Sequence, residues 1–353
     1  MAIASPGDHN AALGAGGLEY AVSRVDLSYR PPPPPEFRRQ TGLVFDPIYT
    51  LHNVQIGPDL PARMGAVQAG LVAADLWERI VRLRPRDATE NEIALVHSPS
   101  YIRLVRNDVN FGAGMLSTGD TEISDYSLEV ALKATGGVLE AVDSVMRGHV
   151  VNAFCAVRPP GHHATPTKGM GFCIFNHVAV AARYAQRTYG VNKVLIVDWD
   201  VHHGNGTQAA FYEDPSVLFF SSHQHPLYPG TGKRDETGAG RGLGLTVNAP
   251  LPAGSGYQEI VGELETRLEP LLSKFKPELV LISAGFDGRL LDPLGDFTLD
   301  DEQFGRLTRR VMEWAEDYAG GRIVSVLEGG YNLNTLGGAV AAHLQNLALI
   351  DEE

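Results

Sequence analysis

The sequence predicts an α/β fold, a single domain with a central, mostly parallel β-sheet and helices on both faces. Two observations lead to this prediction. From Thr41 onward, short apolar runs rich in β-branched residues alternate with amphipathic stretches, as in successive βαβ units. Reactive polar side chains also recur directly after the apolar runs, and open parallel sheets bind ligands beyond the carboxyl ends of their strands. The same pattern therefore predicts the architecture and the edge of the sheet that carries the site.

The elements are expected in alternating order along the chain. The predicted strands are 42–46, 150–157, 193–199, 216–222, 278–284 and 322–327. The predicted helices are 63–82, 127–147, 176–189, 256–274, 300–319 and 334–349. The run Val194–Val197 is continuously apolar, which is typical of a parallel strand buried on both faces.

The chain is expected to consist of an N-terminal arm followed by one domain. Residues 1–40 contain five consecutive prolines, Pro31–Pro35, which favour a polyproline II segment, so we expect an N-terminal arm or linker there. Neither an internal repeat nor a change in composition interrupts residues 41–350, which are expected to form the one domain.

Composition narrows the class of protein. The 353 residues are 44% hydrophobic, enough for a large core. The net charge is 29 − 42 = −13, which makes nucleic acid an unfavourable partner because phosphate attracts Lys and Arg. Two cysteines, Cys155 and Cys173, exclude a disulfide framework and are expected as buried thiols. Without a membrane-spanning apolar stretch or a secretory leader, we expect no membrane association and a cytoplasmic location.

Five predicted strands lead into side chains capable of chemistry. These side chains fall in Arg158–His163, Asp200–His202, His223–His225, Asp287 and Glu328–Tyr331. Since parallel strands end at one edge of the sheet, these groups are expected to form one site.

Metal binding is the first chemistry that the pattern indicates. Asp198, Asp200 and His202 alternate, so in extended backbone their side chains share one face. Asp200, His202 and Asp287 together offer two oxygens and one nitrogen and leave a position open, as catalytic zinc sites do. For Asp287 taken alone, a helix-capping role explains the residue equally well.

Candidate acid and base groups follow Pro159-Pro160-Gly161. His162 and His163 lie on this restricted backbone, and histidine is the usual acid or base near neutral pH. A pair of surface histidines is the alternative. Asp198 and Asn205 are candidates to orient the two rings.

Three aromatic residues complete the candidate site. Tyr331 follows two glycines, and its hydroxyl could donate to a developing oxyanion, although a turn with a packing aromatic is the commoner structure. Phe172 and Tyr228 flank glycine-rich turns and could form a narrow apolar slot, with ordinary core packing as an equal alternative.

Seven segments resemble the histone deacetylase superfamily, most closely its class II branch and the bacterial histone deacetylase-like amidohydrolases. They are Arg158–His163, Gly171–Asn176, Asp198–Gln208, Tyr228–Gly232, Ser283–Asp287, Asp292–Gly295 and Leu327–Tyr331, in the family's order. The resemblance implies the arginase/deacetylase fold with about eight strands. It also implies a zinc-dependent amidohydrolase that removes acetyl or other short acyl groups from acyl-lysine by metal-activated attack of water.

The resemblance also implies roles for particular residues. Asp200, His202 and Asp287 would hold zinc, His162 and His163 would be the catalytic histidines, and Tyr331 the oxyanion donor. Asp198 would orient His162. Asn205 stands beside His163 where some members have Asp, which would make His163 a weaker base.

Substrate and monovalent ions would be held nearby. Gly171, Phe172 and Tyr228 would line an acyl-lysine tunnel, Asp120 would grip substrate backbone at the rim, and Arg63 would help acetate to leave. A potassium ion would bind the main-chain oxygens of Asp198, Asp200, His202 and Ser222 with the Ser221 hydroxyl. A second monovalent site would involve Phe211, Asp214 and Val217.

Other functions remain open. In an acetylpolyamine amidohydrolase the Asp-Pro-x-Gly turn can carry Glu, but Leu294 occupies that position here and favours acyl-lysine. A binuclear manganese ureohydrolase of the arginase type needs further aspartates, which His203-Gly204-Asn205 does not supply. An inactive acyl-lysine-binding paralogue should lack a ligand, a catalytic histidine or the tyrosine. The expected partner is an acylated lysine peptide or protein or a small acylated amine, and a homo-oligomer stays open.

Overall fold

Eight parallel strands form one sheet at the centre of the computed structural model, which describes residues 40–349. The strands are β1 (Thr41–Val44), β2 (Val81–Leu83), β3 (Asn152–Cys155), β4 (Val194–Asp198), β5 (Val217–Gln224), β6 (Thr246–Leu251), β7 (Leu279–Ala284) and β8 (Ile323–Leu327). Their order across the sheet is β2-β1-β3-β8-β7-β4-β5-β6. The predicted fold class and the count of about eight strands implied by the family resemblance are confirmed.

Helices connect the strands and cover the two faces of the sheet. They are α1 (Ala62–Ala73), α2 (Glu90–Ile93), α3 (Pro99–Asn110), α4 (Ser127–Met146), α5 (His177–Tyr189), α6 (Asn205–Phe211), α7 (Tyr257–Glu263), α8 (Glu269–Phe275), α9 (Asp301–Ala319) and α10 (Leu336–Leu347). Every residue of β3, β4, β5, β7 and β8 is buried, as expected for parallel strands with both faces covered.

Local side chains determine where several helices begin. The Asn176 side chain accepts from the amide of Ala179 at 3.0 Å and starts α5. Asp300 and Gln303 form a reciprocal capping box at the start of α9. Both caps supply acceptors for amides that have no partner within the helix.

The structure corrects several predicted elements. The predicted helix 63–82 is wrong in its second half, because α1 ends at Ala73 and residues Val81–Leu83 form the edge strand β2. The other edge strand, β6, and helices α2, α3 and α6 were not predicted. The predicted helix 256–274 contains a π-helical segment, Leu264–Leu268, between α7 and α8.

Further predictions concern the two cysteines, membrane association and the N-terminal arm. Cys155 and Cys173 are buried free thiols, as predicted. Among residues 40–349, no helix is long and apolar enough to span a membrane. The predicted arm, residues 1–40, lies outside the described residues except for Gln40, and its boundary stays a prediction.

Candidate active site

A compact group of three side chains that could hold a metal ion lies where β4 and β7 end. Asp200 and His202 follow β4, and Asp287 follows β7, its neighbour in the sheet. All three are buried, and one ligand atom from each lies within 4.8 Å of the others. The Nδ1 atom of His202 is 3.0 Å from Asp200 Oδ1 and 3.1 Å from Asp287 Oδ2.

Backbone amides hold the two carboxylates in place. Asp287 Oδ1 accepts from the amide of Val201 at 2.9 Å, and Asp200 Oδ2 accepts from that of Gly329 at 2.8 Å. Burial and the charge of Asp200 raise the pKa of Asp287. Two buried carboxylates and an imidazole at this spacing suit a divalent cation such as zinc, which would offset their charge and keep a coordination position open.

His162 and His163 lie beside this group, with ring centroids 4.0 Å apart. The Nδ1 atom of His162 is 3.0 Å from Asp198 Oδ2, and that of His163 is 2.7 Å from Asn205 Oδ1. Both histidines are buried rather than on the surface. The structure thus brings each ring to the partner that the sequence proposed for it.

The two histidines have opposite electrostatic surroundings. Burial disfavours a charged His162 ring, but the carboxylates of Asp198 and Asp200 outweigh it and raise the pKa of His162 well above its usual value. Burial, together with the neighbouring His162 and His202, lowers the pKa of His163 well below its usual value. Near neutral pH, His162 therefore favours the charged state and His163 the neutral state.

Glu328 has a structural role that the sequence reasoning missed. Its Oε2 atom accepts from the amides of Gly161 at 2.6 Å and His162 at 3.1 Å, and its Oε1 atom accepts from the Ser283 hydroxyl at 3.1 Å. Burial raises the pKa of Glu328 to about 7. An acidic residue directly after an apolar strand was the available signal, but its partner lies 167 residues away.

Aromatic side chains border the metal-binding group. The Tyr228 ring lies 5.2 Å from that of His163, and the Phe172 ring lies 5.9 Å from that of Tyr331, between centroids. Gly171 has a φ of 56°, and a Cβ there would lie 2.3 Å from His163 Cδ2, so glycine is required. Asp120 Oδ1 accepts from the Gly171 amide at 2.9 Å, which places this aspartate at the same rim.

Tyr331 is positioned through its backbone. Asp292 Oδ2 accepts from the amides of Tyr331 at 2.7 Å and Asn332 at 3.1 Å, while Oδ1 accepts from that of Leu294 at 3.0 Å. The guanidinium carbon of Arg63 lies 4.9 Å from the centre of the Tyr331 ring. Burial raises the pKa of Tyr331 well above its usual value, so the hydroxyl keeps its proton.

A buried ion cluster behind the site was not predicted. Asp59 Oδ1 pairs with Arg63 Nη1 at 2.6 Å and with Arg158 Nε at 2.9 Å. Arg63 also donates from Nη2 to the carbonyl of Glu328 at 2.6 Å and from Nε to that of Gly330 at 2.7 Å. Arg158, which follows β3, is therefore a buried structural partner rather than an exposed member of the rim.

The residues proposed for the first monovalent ion lie at and just beyond the end of β4 and in the second half of β5. Asp198, Asp200, His202, Ser221 and Ser222 are all buried. The Ser222 hydroxyl has no hydrogen-bond partner within residues 40–349, and that of Ser221 lies 3.0 Å from His223 Nδ1. At the second proposed position, Phe211 and Val217 are buried, and the Asp214 carboxylate accepts from Ser216 and pairs with Arg183.

The sequence of this chain is similar to the sequences of known deacetylases. The model of the histone deacetylase domain family matches residues 57–347. "Histone deacetylase 10, chloroplastic" from rice is 40% identical over 306 residues, covering 82% of this chain and 69% of the relative. "Probable deacetylase" from Archaeoglobus fulgidus is 39% identical over 296 residues, which cover 83% of this chain and 82% of the relative.

Two other relatives bear on substrate and fold. The human "Polyamine deacetylase HDAC10" is 41% identical over 298 residues, which cover 81% of this chain and 44% of that protein. The crystal structure of the "HDA15 HD domain" superimposes with a TM-score of 0.80 at 37% identity, covering 88% of this chain and 89% of the other.

Proposed function

Because the chain belongs to the histone deacetylase family, we propose that it is a zinc-dependent amidohydrolase that removes acetyl or other short acyl groups from acyl-lysine side chains. The observation that carries this proposal is the buried group of Asp200, His202 and Asp287 beside two histidines with opposite pKa shifts. These three residues would hold the ion. A bound zinc ion would supply Lewis acidity to the amide carbonyl and to a water molecule.

The histidine pair would move the protons. His163 is favoured as the neutral ring, and its Nδ1 lies 2.7 Å from Asn205 Oδ1, so Nδ1 donates and Nε2 is left as the basic atom. His163 Nε2 would take the proton of the attacking water and return it to the leaving amine. His162, charged and held by Asp198, would stabilise the negative charge that develops beside it.

Tyr331 would bind the developing oxyanion. Its hydroxyl stays protonated because burial raises its pKa, so it can donate a hydrogen bond. Phe172 and Tyr228 would enclose the alkyl chain of the substrate and exclude water, with Asp120 at the rim.

Two variants test the proton and oxyanion roles. We expect Tyr331→Phe to lower kcat on an acetyl-lysine peptide about 100- to 1000-fold, because one oxyanion donor is lost. His163→Ala should abolish measurable turnover. Elemental analysis should find zinc retained in both variants, and near-normal kcat in either one would contradict the assigned roles.

The metal assignment has its own test. Purified protein is expected to contain one zinc per chain by elemental analysis. A chelator should lower the Tm and added zinc should restore it, because an ion bound only to the folded state stabilises that state. Two manganese ions per chain would instead indicate an arginase-like centre, and a metal-free active protein would contradict the proposal altogether.

An acetylpolyamine amidohydrolase is the second candidate, favoured by the 41% identity to the human polyamine deacetylase. Such a substrate carries a further ammonium group that a carboxylate near the entrance would attract. In the Asp292–Gly295 turn the half-buried Leu294 offers none, which supports acyl-lysine. The rim carboxylate of Asp120 already accepts from the Gly171 amide through Oδ1. Comparing kcat/KM for an acetyl-lysine peptide and acetylspermidine decides between the two, and a clear preference for acetylspermidine would reverse the assignment.

Potassium is proposed as a second ion near the ends of β4 and β5. The burial of all the residues proposed to hold it, Asp198, Asp200, His202, Ser221 and Ser222, supports a site that is shielded from water. A higher Tm in potassium chloride than in tetramethylammonium chloride at equal ionic strength is expected, and equal values would argue against the ion.

The role of Arg63 in acetate release, the second monovalent site and a homo-oligomeric state stay predictions. So does a cytoplasmic location, since the name of the rice relative places that protein in chloroplasts.

A further inference from the structure

Two bulky residues beside the site have a left-handed backbone conformation. Within residues 40–349, the non-glycine residues with positive φ are Asp75, Phe172, Lys276, Leu291 and Leu349. Asp75, Lys276 and Leu349 follow helix ends, where this conformation is common. Phe172 (φ 67°) and Leu291 (φ 74°) instead lie in loops at the carboxyl edge of the sheet. Such strain persists only where the surroundings enforce it, and it concentrates at functional sites.

The strained Leu291 is tied to the loop that carries Tyr331. Its carbonyl accepts from Asn332 Nδ2 at 2.8 Å. The next residue, Asp292, accepts from the amides of Tyr331 and Asn332 at 2.7 Å and 3.1 Å. Leu291 therefore has a fixed position relative to Tyr331.

Core packing does not explain Leu291. Its side chain is 72% exposed, that of the adjacent Leu290 is 44% exposed, and that of Leu333, two residues after Tyr331, is 39% exposed. We name Leu290, Leu291 and Leu333 the leucine lip. A leucine held in a costly backbone conformation and exposed to water is a candidate for contact with a bound molecule.

The charges nearby favour an apolar contact. Arg289 is paired with Asp301 at 2.8 Å, and the Asp292 carboxylate is turned inward to three backbone amides. Neither the Asp301 carboxylate nor the Asp292 carboxylate is left to attract the distal ammonium of a polyamine. The lip therefore suits an uncharged, apolar group that lies next to the acylated amine.

We propose that the leucine lip binds an apolar side chain of the residue adjacent to acyl-lysine in a peptide substrate. Leu291 is then a specificity-determining residue, and the exposed lip residues become covered as the peptide docks. This inference rests on the proposed lysine deacylase function and extends it to a sequence preference.

The test uses two acetyl-lysine peptides that differ only in the flanking residues, leucine in one and serine in the other. The wild-type protein should prefer the leucine peptide about fivefold to tenfold in kcat/KM, as expected for a partly covered apolar contact. Leu291→Gly and Leu291→Asn should lose the preference through KM. Both residues tolerate positive φ, so the Tm should not fall.

A matched control and a small substrate separate recognition from folding. Leu243→Asn changes a leucine of similar exposure, 67%, on the segment before β6, and should keep the preference. Turnover of a capped acetyl-lysine amide, which has no flanking residues, should be unchanged in both Leu291 variants.

Several outcomes would overturn the inference. Equal kcat/KM for the two peptides in the wild type would do so, as would a preference retained in both Leu291 variants. A fall in kcat on the capped amide would assign Leu291 to positioning Tyr331 instead of recognition. Cleavage of acetylspermidine with no cleavage of any acyl-lysine substrate would reject the proposed function itself.

Discussion

His162 and His163 are adjacent in the sequence and in space, yet their surroundings shift their pKa values in opposite directions. His162 lies against the carboxylate of Asp198, whereas the partner of His163 is the neutral amide of Asn205. Groups whose pKa values are pushed apart can hold and accept protons at the same pH. At the scale of single residues, the carboxylates of Asp198 and Asp200 near His162, and the burial of His163 beside two other histidines, give two identical side chains opposite preferences for a proton.

Glu328 is the residue on which the position of this pair depends. In Glu328→Ala, the buried amides of Gly161 and His162 lose their acceptor, at a cost of about 1–3 kcal/mol each. We expect urea unfolding to show a loss of about 3 kcal/mol or more. Glu328→Gln keeps an acceptor oxygen for these amides and should lose much less. Equal stability of the alanine variant and the wild type would contradict this role.

At the scale of elements, the crossing of α1 and α10 places two parts of the site. Helix α1 carries Arg63, and α10 follows the loop of Tyr331. The helices meet at Gly70 and Gly337, where a Cβ built on Gly70 would lie 2.1 Å from the Gly337 carbonyl oxygen. Their backbones are thus in direct contact, and the absence of side chains at this point sets the distance between the elements.

The crossing predicts opposite effects for two glycines of the same helix. Gly70→Ala should destabilise the protein by about 1–3 kcal/mol, because the methyl group forces the helices apart. Gly65→Ala is the matched control, since a Cβ there meets nothing within 4 Å, and the helix propensity of alanine should stabilise the protein by up to about 1 kcal/mol. Thermal unfolding of both variants measures the difference. A neutral Gly70→Ala substitution would show that the crossing can relax.

At the scale of the whole molecule, the Asp59 cluster joins segments that are distant in sequence. Asp59 precedes α1, Arg63 lies in α1, and Arg158 follows β3. Burial alone would raise the pKa of Asp59, but the two arginines outweigh it and hold that pKa well below its usual value. Through one charged carboxylate, the cluster links the start of α1 to the segment that follows β3.

The cluster predicts a pH dependence of stability. Because the folded-state pKa of Asp59 is lower than the unfolded value of about 3.9, its stabilisation is present above about pH 4 and is lost as the pH falls further. Asp59→Asn should cost about 3–5 kcal/mol at pH 7, because it leaves buried arginine charge without its partner. In urea unfolding, the difference in unfolding free energy between this variant and the wild type should become smaller below pH 4.

Asp75 provides the control for this pH effect. It pairs with Arg79 across 3.8 Å, and its side chain is 87% exposed. Asp75→Asn should change the unfolding free energy by at most about 1 kcal/mol. If the loss of unfolding free energy in Asp59→Asn stayed constant from pH 7 to pH 3, it would contradict the lowered pKa of Asp59.

The sequence by itself determined the fold class, the six central predicted strands and the residues of the metal and histidine groups. Continuous apolar runs specify buried parallel strands, because both faces of such strands must avoid water. Polar residues at the ends of these runs lie at one edge, because parallel strands share a direction. The edge strands β2 and β6 escaped prediction, since they lie at the margins of the sheet and lack long apolar runs.

Only the tertiary structure decided which distant groups support the site. Asp59 meets Arg158 across 99 residues, and Glu328 meets Gly161 across 167 residues. Neither contact can be recognised from the neighbouring residues in the sequence, because the two partners become buried together only when the strands assemble. Leu291, with its left-handed conformation, is likewise bonded through its carbonyl to the side chain of Asn332, 41 residues further along the chain. Spacing thus identified the candidate side chains of the site, whereas their positions and pKa values depend on long-range packing that sequence periodicity does not encode.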